Sequence, residues 1–381
     1  MNESGTTERT KNCVTEVNDK ENIAPASFDV SFEEKQPLEG VKPKRDSSID
    51  MMKGLLTVLM VFCHVLQFFP RGNGWQWVVG YISLTTFSGF MFCSGYVFNL
   101  AYANREKPEK RMFIAFIKSI FVYYLSGIAF VTLINMDLSF DAFLNVILLR
   151  HIPEYSEFLL SFAIIYVVEI FLHKQIAGLL KDKIKSGITV AVSLLMTFIR
   201  YDQIHFTPLG ALIGTFDFYC FPIVQYFCYF LLGAYLSDRK KAFDLKTFIL
   251  CCLGTLVIVI HVIKNKVLPG RFPPTLIWIV GGALFVYCYY LFSKAVKPFK
   301  PLVFMGKNTL FFLAVSNVAL FVSQRILNVA EIENYPLFWL TAYAICMIIA
   351  SIAVVIKDYV KKAIKIVVDA IKKDGEESEN G

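Results

Sequence analysis

Charge is scarce in this sequence: Asp, Glu, Lys and Arg make up 18% of 381 residues, against 56% apolar and 15% aromatic. With a mean hydropathy of +0.54, too little polar surface remains to cover a water-soluble globule, so a soluble enzyme is excluded and the bilayer is the solvent. The nine cysteines follow no metal or redox spacing. Apart from Cys13 they fall in apolar runs, and the adjacent Cys251 and Cys252 would point to different sides of a helix. They read as small, reduced apolar residues. The chain has no phosphate-cradling glycine loop, no exposed Ser/His/Asp arrangement and no short repeat. Function therefore cannot be read from a nucleotide loop, a metal cluster or a triad.

What the chain does have is long apolar runs. A span needs about 20 such residues to cross a hydrocarbon core of about 30 Å, and only a helix satisfies its own backbone there. The sequence predicts an all-α integral membrane protein with about ten transmembrane helices, near 52–70, 76–101, 112–134, 156–173, 187–204, 219–237, 247–263, 275–293, 302–323 and 336–356. The fifth run is short and is followed by Arg200 and Asp202; residues 206–218, with Pro208, Gly210 and Gly214, read as interfacial or re-entrant.

Lys and Arg collect in every second loop. One set runs through Lys42, Lys44 and Arg45, then 105–111, 174–185, 239–246, 294–300 and 357–365, while the alternate loops hold only Arg71, Arg150, Arg200, Lys264, Lys266, Arg271 and Arg325. This alternation predicts that both termini are cytoplasmic. The net charge of +7 then marks loops beside anionic lipid, and nothing calls for nucleic acid. Residues 1–48 lack any apolar run and read as a disordered cytoplasmic tail. Residues 49–356 form the membrane domain, and 357–381 a cytoplasmic amphipathic helix with an acidic tail, its Tyr359, Ala363, Ile366, Val367 and Ala370 at helical spacing. No cleavable signal precedes the first span, which is expected to serve as the targeting signal.

Ionisable side chains inside spans are costly and mark function by default. The candidates are Lys53, His64, Lys118, Glu157, Glu169, Asp217 and His261. Eleven residues of helix turn by about three turns plus 20° and rise by about 16 Å, so Lys53 and His64 share a face. Thr57, Met60 and Gln67 extend that polar seam, opposite an apolar face of Leu55, Leu59, Phe62 and Leu66. Two readings stand: His64 bonds a neighbouring helix while Lys53 snorkels, or the seam is a site. Lys118 and Glu169 sit at matching depths, either as an ion pair between helices or as a ligand-binding lysine oriented by the carboxylate. Glu157 lies near the outer interface. Gly89, Ser94, Gly95 and Tyr96 suit close helix packing, and Asn308 or Thr309 could cap a helix after Gly306 and Lys307.

Three segments in order resemble the membrane-bound acyltransferase 3 family: RDSSIDMMKGLLTVLMVFCH (45–64), with a basic residue, ten others and a histidine from Lys53 to His64; FSGFMFCSGYVF (87–98); and FMGKNTLFFL (304–313). The chain departs from the family pattern in its third span, which has no proline; at Glu157, Phe158 and Leu159; and at Ser316 and Asn317, where the family often has a histidine. The resemblance implies an O-acyltransferase at the plasma membrane that takes an acyl group, usually acetyl, from cytoplasmic acetyl-CoA to a hydroxyl of a surface or envelope carbohydrate. It implies His64 as general base, Lys53 and Lys118 at the donor, and Thr57, Gln67, Ser94, Glu169 and Asn308 in support, with acyl-CoA as a substrate and no permanently bound cofactor. A different class, a transporter or flippase of a glycan, lipid-linked sugar or other solute, would also use a polar seam in a ten-span bundle.

Overall fold

A computed structural model describes residues 45–69, 74–103, 105, 108–206, 209–216, 221–239, 242–326 and 336–379. The tail 1–44 and Asp217 lie outside them. The chain folds into α1 (Ser47–Phe68), α2 (Trp75–Ala101), α3 (Glu109–Leu133), α4 (Phe140–Ile147), α5 (Glu157–Lys181), α6 (Lys183–Leu195), α7 (Gly210–Ile213), α8 (Ile223–Ser237), α9 (Leu245–Asn265), α10 (Leu276–Gly281), α11 (Ala283–Ala295), α12 (Lys300–Lys307), α13 (Thr309–Ile326) and α14 (Pro336–Glu379). It is an all-α, multi-pass membrane protein. Among the described residues eight helical segments are long and apolar enough to cross a bilayer, α10 and α11 together forming one of them.

The other two expected spans are short. The fifth is α6, 13 residues followed by 3-10 turns at Met196–Phe198 and Tyr201–Gln203; the sixth is α8, 15 residues. At 1.5 Å per residue each reaches only about 20 Å. Non-helical backbone at such depth needs protein partners for its carbonyls, and Gln225 supplies them: its Nε2 donates to Met196 O at 3.3 Å and to Ile213 O at 2.9 Å. Ser193 ties the same two helices by donating to Val224 O at 2.8 Å.

Local chemistry fixes several helix starts. Asp46 caps α1 by accepting from Ser48 N–H, Asp182 caps α6, Asp244 caps α9 through Thr247 N–H, and Thr275 caps α10 through Trp278 N–H. Helix α1 thus begins just after the Asp46 cap.

Helices α1 and α2 form the centre. Their most apolar windows are 72% and 83% buried, whereas those of α9 and of Phe338–Ile364 in α14 are 22% buried and present Leu250, Ile260, Ile348 and Ile352 outward. On the apolar face of α1 Leu66 is fully buried by neighbouring helices, while Leu55, Leu59 and Phe62 are half-buried. Two crossings demand glycine because backbones touch: a Cβ on Gly306 would lie 1.7 Å from Asp50 O, and one on Gly95 would lie 1.8 Å from Phe230 O. The small residues of α2 are therefore packing devices. At its far end α14 runs unbroken from the last span through Glu379, so the amphipathic stretch does not turn onto the surface as a separate helix. From 337 to 374 the sequence has no Gly or Pro to break it.

Candidate active site

Two cavities flank the middle of α1. The inner one, at the lysine-rich end, is about 720 Å³ and is walled by Arg45, Lys53, Lys118, Lys307, Lys357 and Lys361 together with Ser94, Tyr166, Glu169 and Asn308. The outer one is about 500 Å³ and takes its walls from His64, Gln67, Arg150, Tyr155, Glu157 and Arg271, with Phe221 and Phe272. Among the described residues none lines both cavities. Between them sits an aromatic layer: Phe90 and Phe162 border the inner space, Phe158 the outer, with the Phe158 and Phe162 rings edge to face at 4.8 Å. The seam of α1 connects the two ends, since Lys53 lines the inner cavity and Met60, His64 and Gln67 the outer. Thr57 lies between them, bonded to Lys53 O at 2.8 Å and to Thr309 Oγ1 at 3.3 Å.

At the inner end the cations are partly neutralised. Asp50, one helical turn before Lys53 and not singled out by any sequence pattern, accepts from Arg45 Nε at 2.5 Å and pairs with Lys53 Nζ at 2.9 Å. Asp46 Oδ2 accepts from Lys294 Nζ at 2.6 Å and from Tyr96 OH at 2.9 Å, which staples the ends of α1, α2 and α11. Burial alone would raise the Asp46 pKa, but the Lys294 ammonium, the Tyr96 hydroxyl and Ser48 N–H hold it below its ordinary value.

Lys118 and Glu169 both reach the inner cavity, yet no ion pair joins them among the described residues. The reason is rotational: α3 turns Ser119, Val122 and Tyr123 inward and leaves Lys118 exposed, while Glu169 is 2% exposed with its Oε2 unpartnered. Asn308 also differs from its expected role. Its backbone carbonyl starts α13 by accepting from Phe312 N–H, but its side chain turns back, donating to Phe304 O at 3.1 Å and accepting from Lys357 Nζ at 2.5 Å. It closes α12 and docks α14.

His64 is 8% exposed and borders the outer cavity. Its Nδ1 stands 2.9 Å from Asn317 Oδ1, and Tyr155 packs edge to face on its ring at 5.0 Å. Among the described residues Nε2 has no hydrogen-bond partner. Asn317 is not among the site residues expected from the sequence, although a lone amide within the apolar run 310–321 is the kind of signal that marks one. Arg271 is not among them either, because a loop arginine carries no pattern; its Nη1 donates to Ser83 Oγ at 3.1 Å and its guanidinium lies over Phe272 at 4.4 Å. No group of three His, Cys, Asp or Glu side chains arranged to hold a metal occurs among the described residues.

No curated protein and no solved structure matches the chain. A family model described as an acyltransferase domain matches residues 46–356, from the cap of α1 into α14, and so takes in the lining of the outer cavity and that of the inner one apart from Arg45, Lys357, Asp358 and Lys361. The chain belongs to this membrane acyltransferase 3 family.

Proposed function

We propose that this membrane acyltransferase carries an acyl group, acetyl in the first instance, from cytoplasmic acyl-CoA in the inner cavity to a carbohydrate hydroxyl in the outer cavity, at the plasma membrane. The observation that carries the reading is the position of His64 on the outer cavity, one helix face above a cavity ringed by cations. The phosphates of a CoA donor suit Arg45, Lys53, Lys118, Lys307, Lys357 and Lys361, and its narrow thioester arm would follow the α1 seam past Thr57. Both cavities fall within the usual range for ligand sites, about 300–1,000 Å³. On the outer side, Phe221 and Phe272 supply aromatic lining and Arg271 and Glu157 supply polar groups, a combination fit for a sugar and its hydroxyls.

In this reading His64 Nε2 removes the proton of the acceptor hydroxyl as its oxygen attacks the thioester carbonyl. The new C–O bond forms, the C–S bond breaks, and the leaving thiolate takes the proton back from the imidazolium. A neutral ring suits the bilayer because it needs no charge desolvation before reaction.

A second reading, translocation of a solute, draws on the aromatic layer that divides the two cavities. One assay separates them. Purified protein in lipid should consume labelled acetyl-CoA when given a carbohydrate acceptor, and His64→Gln should lose about 100-fold or more of that rate while still binding donor. A Gln variant at normal membrane level with near wild-type transfer would remove His64 from the chemistry; a wild-type protein that moves solute and leaves the donor intact would favour translocation.

A further inference from the structure

Asn317 lies in the middle of α13, 1% exposed, where each polar atom of its amide needs a partner. It has three. Nδ2 donates to Ser126 Oγ at 3.0 Å and to Tyr155 O at 3.1 Å, and Oδ1 faces His64 Nδ1 at 2.9 Å. The orientation of the amide is forced. A backbone carbonyl can only accept, so turning the amide over would set two carbonyl oxygens against each other at the Tyr155 position. The Ser126 hydroxyl, whose oxygen also accepts from Ser156 Oγ at 2.9 Å, suits either orientation, so the Tyr155 carbonyl decides it. Tyr155 has φ +64, an uncommon conformation for a residue with a side chain, in the turn that leads into α5. That turn delivers its carbonyl to Asn317 and its ring to His64.

An amide oxygen fixed toward Nδ1 can only accept. The hydrogen bond then requires the proton on Nδ1, and a neutral ring that carries it there has its lone pair on Nε2. We propose that Asn317 is the positioning residue of the base: held by Ser126 and the Tyr155 carbonyl, it locks His64 as the Nδ1–H tautomer with a bare Nε2 for the outer cavity. The proposal rests on His64 being the base. In the opposite tautomer Nε2 would be a donor, unable to take the acceptor's proton. A carboxylate could fix the tautomer as well, but at the cost of a charge at membrane depth; the amide does so without one.

The test reads the tautomer directly, by ¹⁵N solid-state NMR of imidazole-labelled protein in lipid without substrate. The difference from His64→Gln picks out His64 among the five histidines. The wild-type ring should show a protonated Nδ1 and an unprotonated Nε2; an Nε2–H ring overturns the proposal whatever the variants do. Asn317→Leu, which keeps the branched shape but no polar atom, should release the tautomer and lower kcat on the order of 100-fold with the acyl-CoA KM little changed. Asn317→Asp keeps an acceptor at Nδ1, so it should keep the Nδ1–H signature and exceed the Leu variant in kcat. If the Leu variant keeps both tautomer and kcat, Asn317 is only packing. If the wild-type spectrum is as stated but no acyl donor is consumed, the acyl-transfer reading fails and the tautomer assignment stands.

Discussion

The inner and outer cavities are built in opposite ways. The inner end offers long basic side chains from α1, α3, α12 and α14, and the acidic partners found there, Asp50 with Arg45 and Lys53 and Asp358 with Lys357, neutralise only some of them. Lysine is a point charge on a flexible stem, so such a site recognises charge and tolerates small displacements. At the outer end His64, Asn317, Ser126, Ser156 and the Tyr155 carbonyl form a chain of bonds between 2.9 and 3.1 Å. A site of this kind depends on single atoms. The difference implies that losses at the inner end should be gradual and sensitive to salt, while those at the outer end should be abrupt.

The most severe way to break the comparison is to part α1 from α12, because α1 serves both ends. Gly306→Val places side-chain atoms where the Asp50 carbonyl already lies and should abolish folded protein, read by size-exclusion chromatography of the solubilised membrane fraction; a monodisperse, stable variant would show that the crossing is not as close as described. Next comes the partition. Phe162→Leu trims the ring that seals the inner cavity against Phe158, so donor hydrolysis without any acceptor should rise several-fold as water reaches the thioester. Unchanged hydrolysis would mean the layer does not separate donor from water. A milder effect is expected from the cations. Lys307→Gln, Lys357→Gln and Lys361→Gln should each raise the acetyl-CoA KM only slightly, but about tenfold together, with kcat retained and the effect fading at high salt. A single lysine that carries the whole effect would make the inner site as specific as the outer.

The span pattern was legible because the bilayer imposes it: apolar length located the eight helical segments long and apolar enough to cross, and the fifth and sixth expected spans fall on the short helices α6 and α8. Helical geometry alone put Lys53 and His64 on one face, and they do line the two cavities in turn. What the sequence concealed is rotational and long-range. Depth matching suggested that Lys118 meets Glu169, but depth does not fix the angle at which each helix faces its neighbour. The partner of His64 lies 253 residues away on α13, and no periodicity within one helix reveals a contact across that separation. Lys357 and Lys361 were visible only as positive-inside charges; their place in a cavity depends on α14 continuing past the bilayer.

The smallest effect belongs to the staple at the inner end. Asp46 is held by Lys294 and Tyr96, and its carboxyl titrates below its ordinary value of 3.8. A carboxylate depressed in the folded state stabilises the fold above its unfolded pKa, and that contribution disappears as pH falls through the folded value. Asp46→Asn is an apt comparison because asparagine still caps α1 and can still accept from Tyr96, so the two proteins differ mainly in the charge offered to Lys294. Both Asp46 and Lys294 are less than a quarter exposed, and a hydrogen bond to a charged group is worth about 1.5–3 kcal/mol. The Asn variant should therefore melt at a lower temperature than wild type by a constant margin from pH 8 to about pH 5, and the margin should close below about pH 4. Thermal unfolding of the two proteins in detergent across that range measures it. A margin that persists undiminished at pH 3 would place the stabilisation in packing; no margin at pH 7 would mean the staple contributes nothing, and that the inner end relies on its glycine crossing alone.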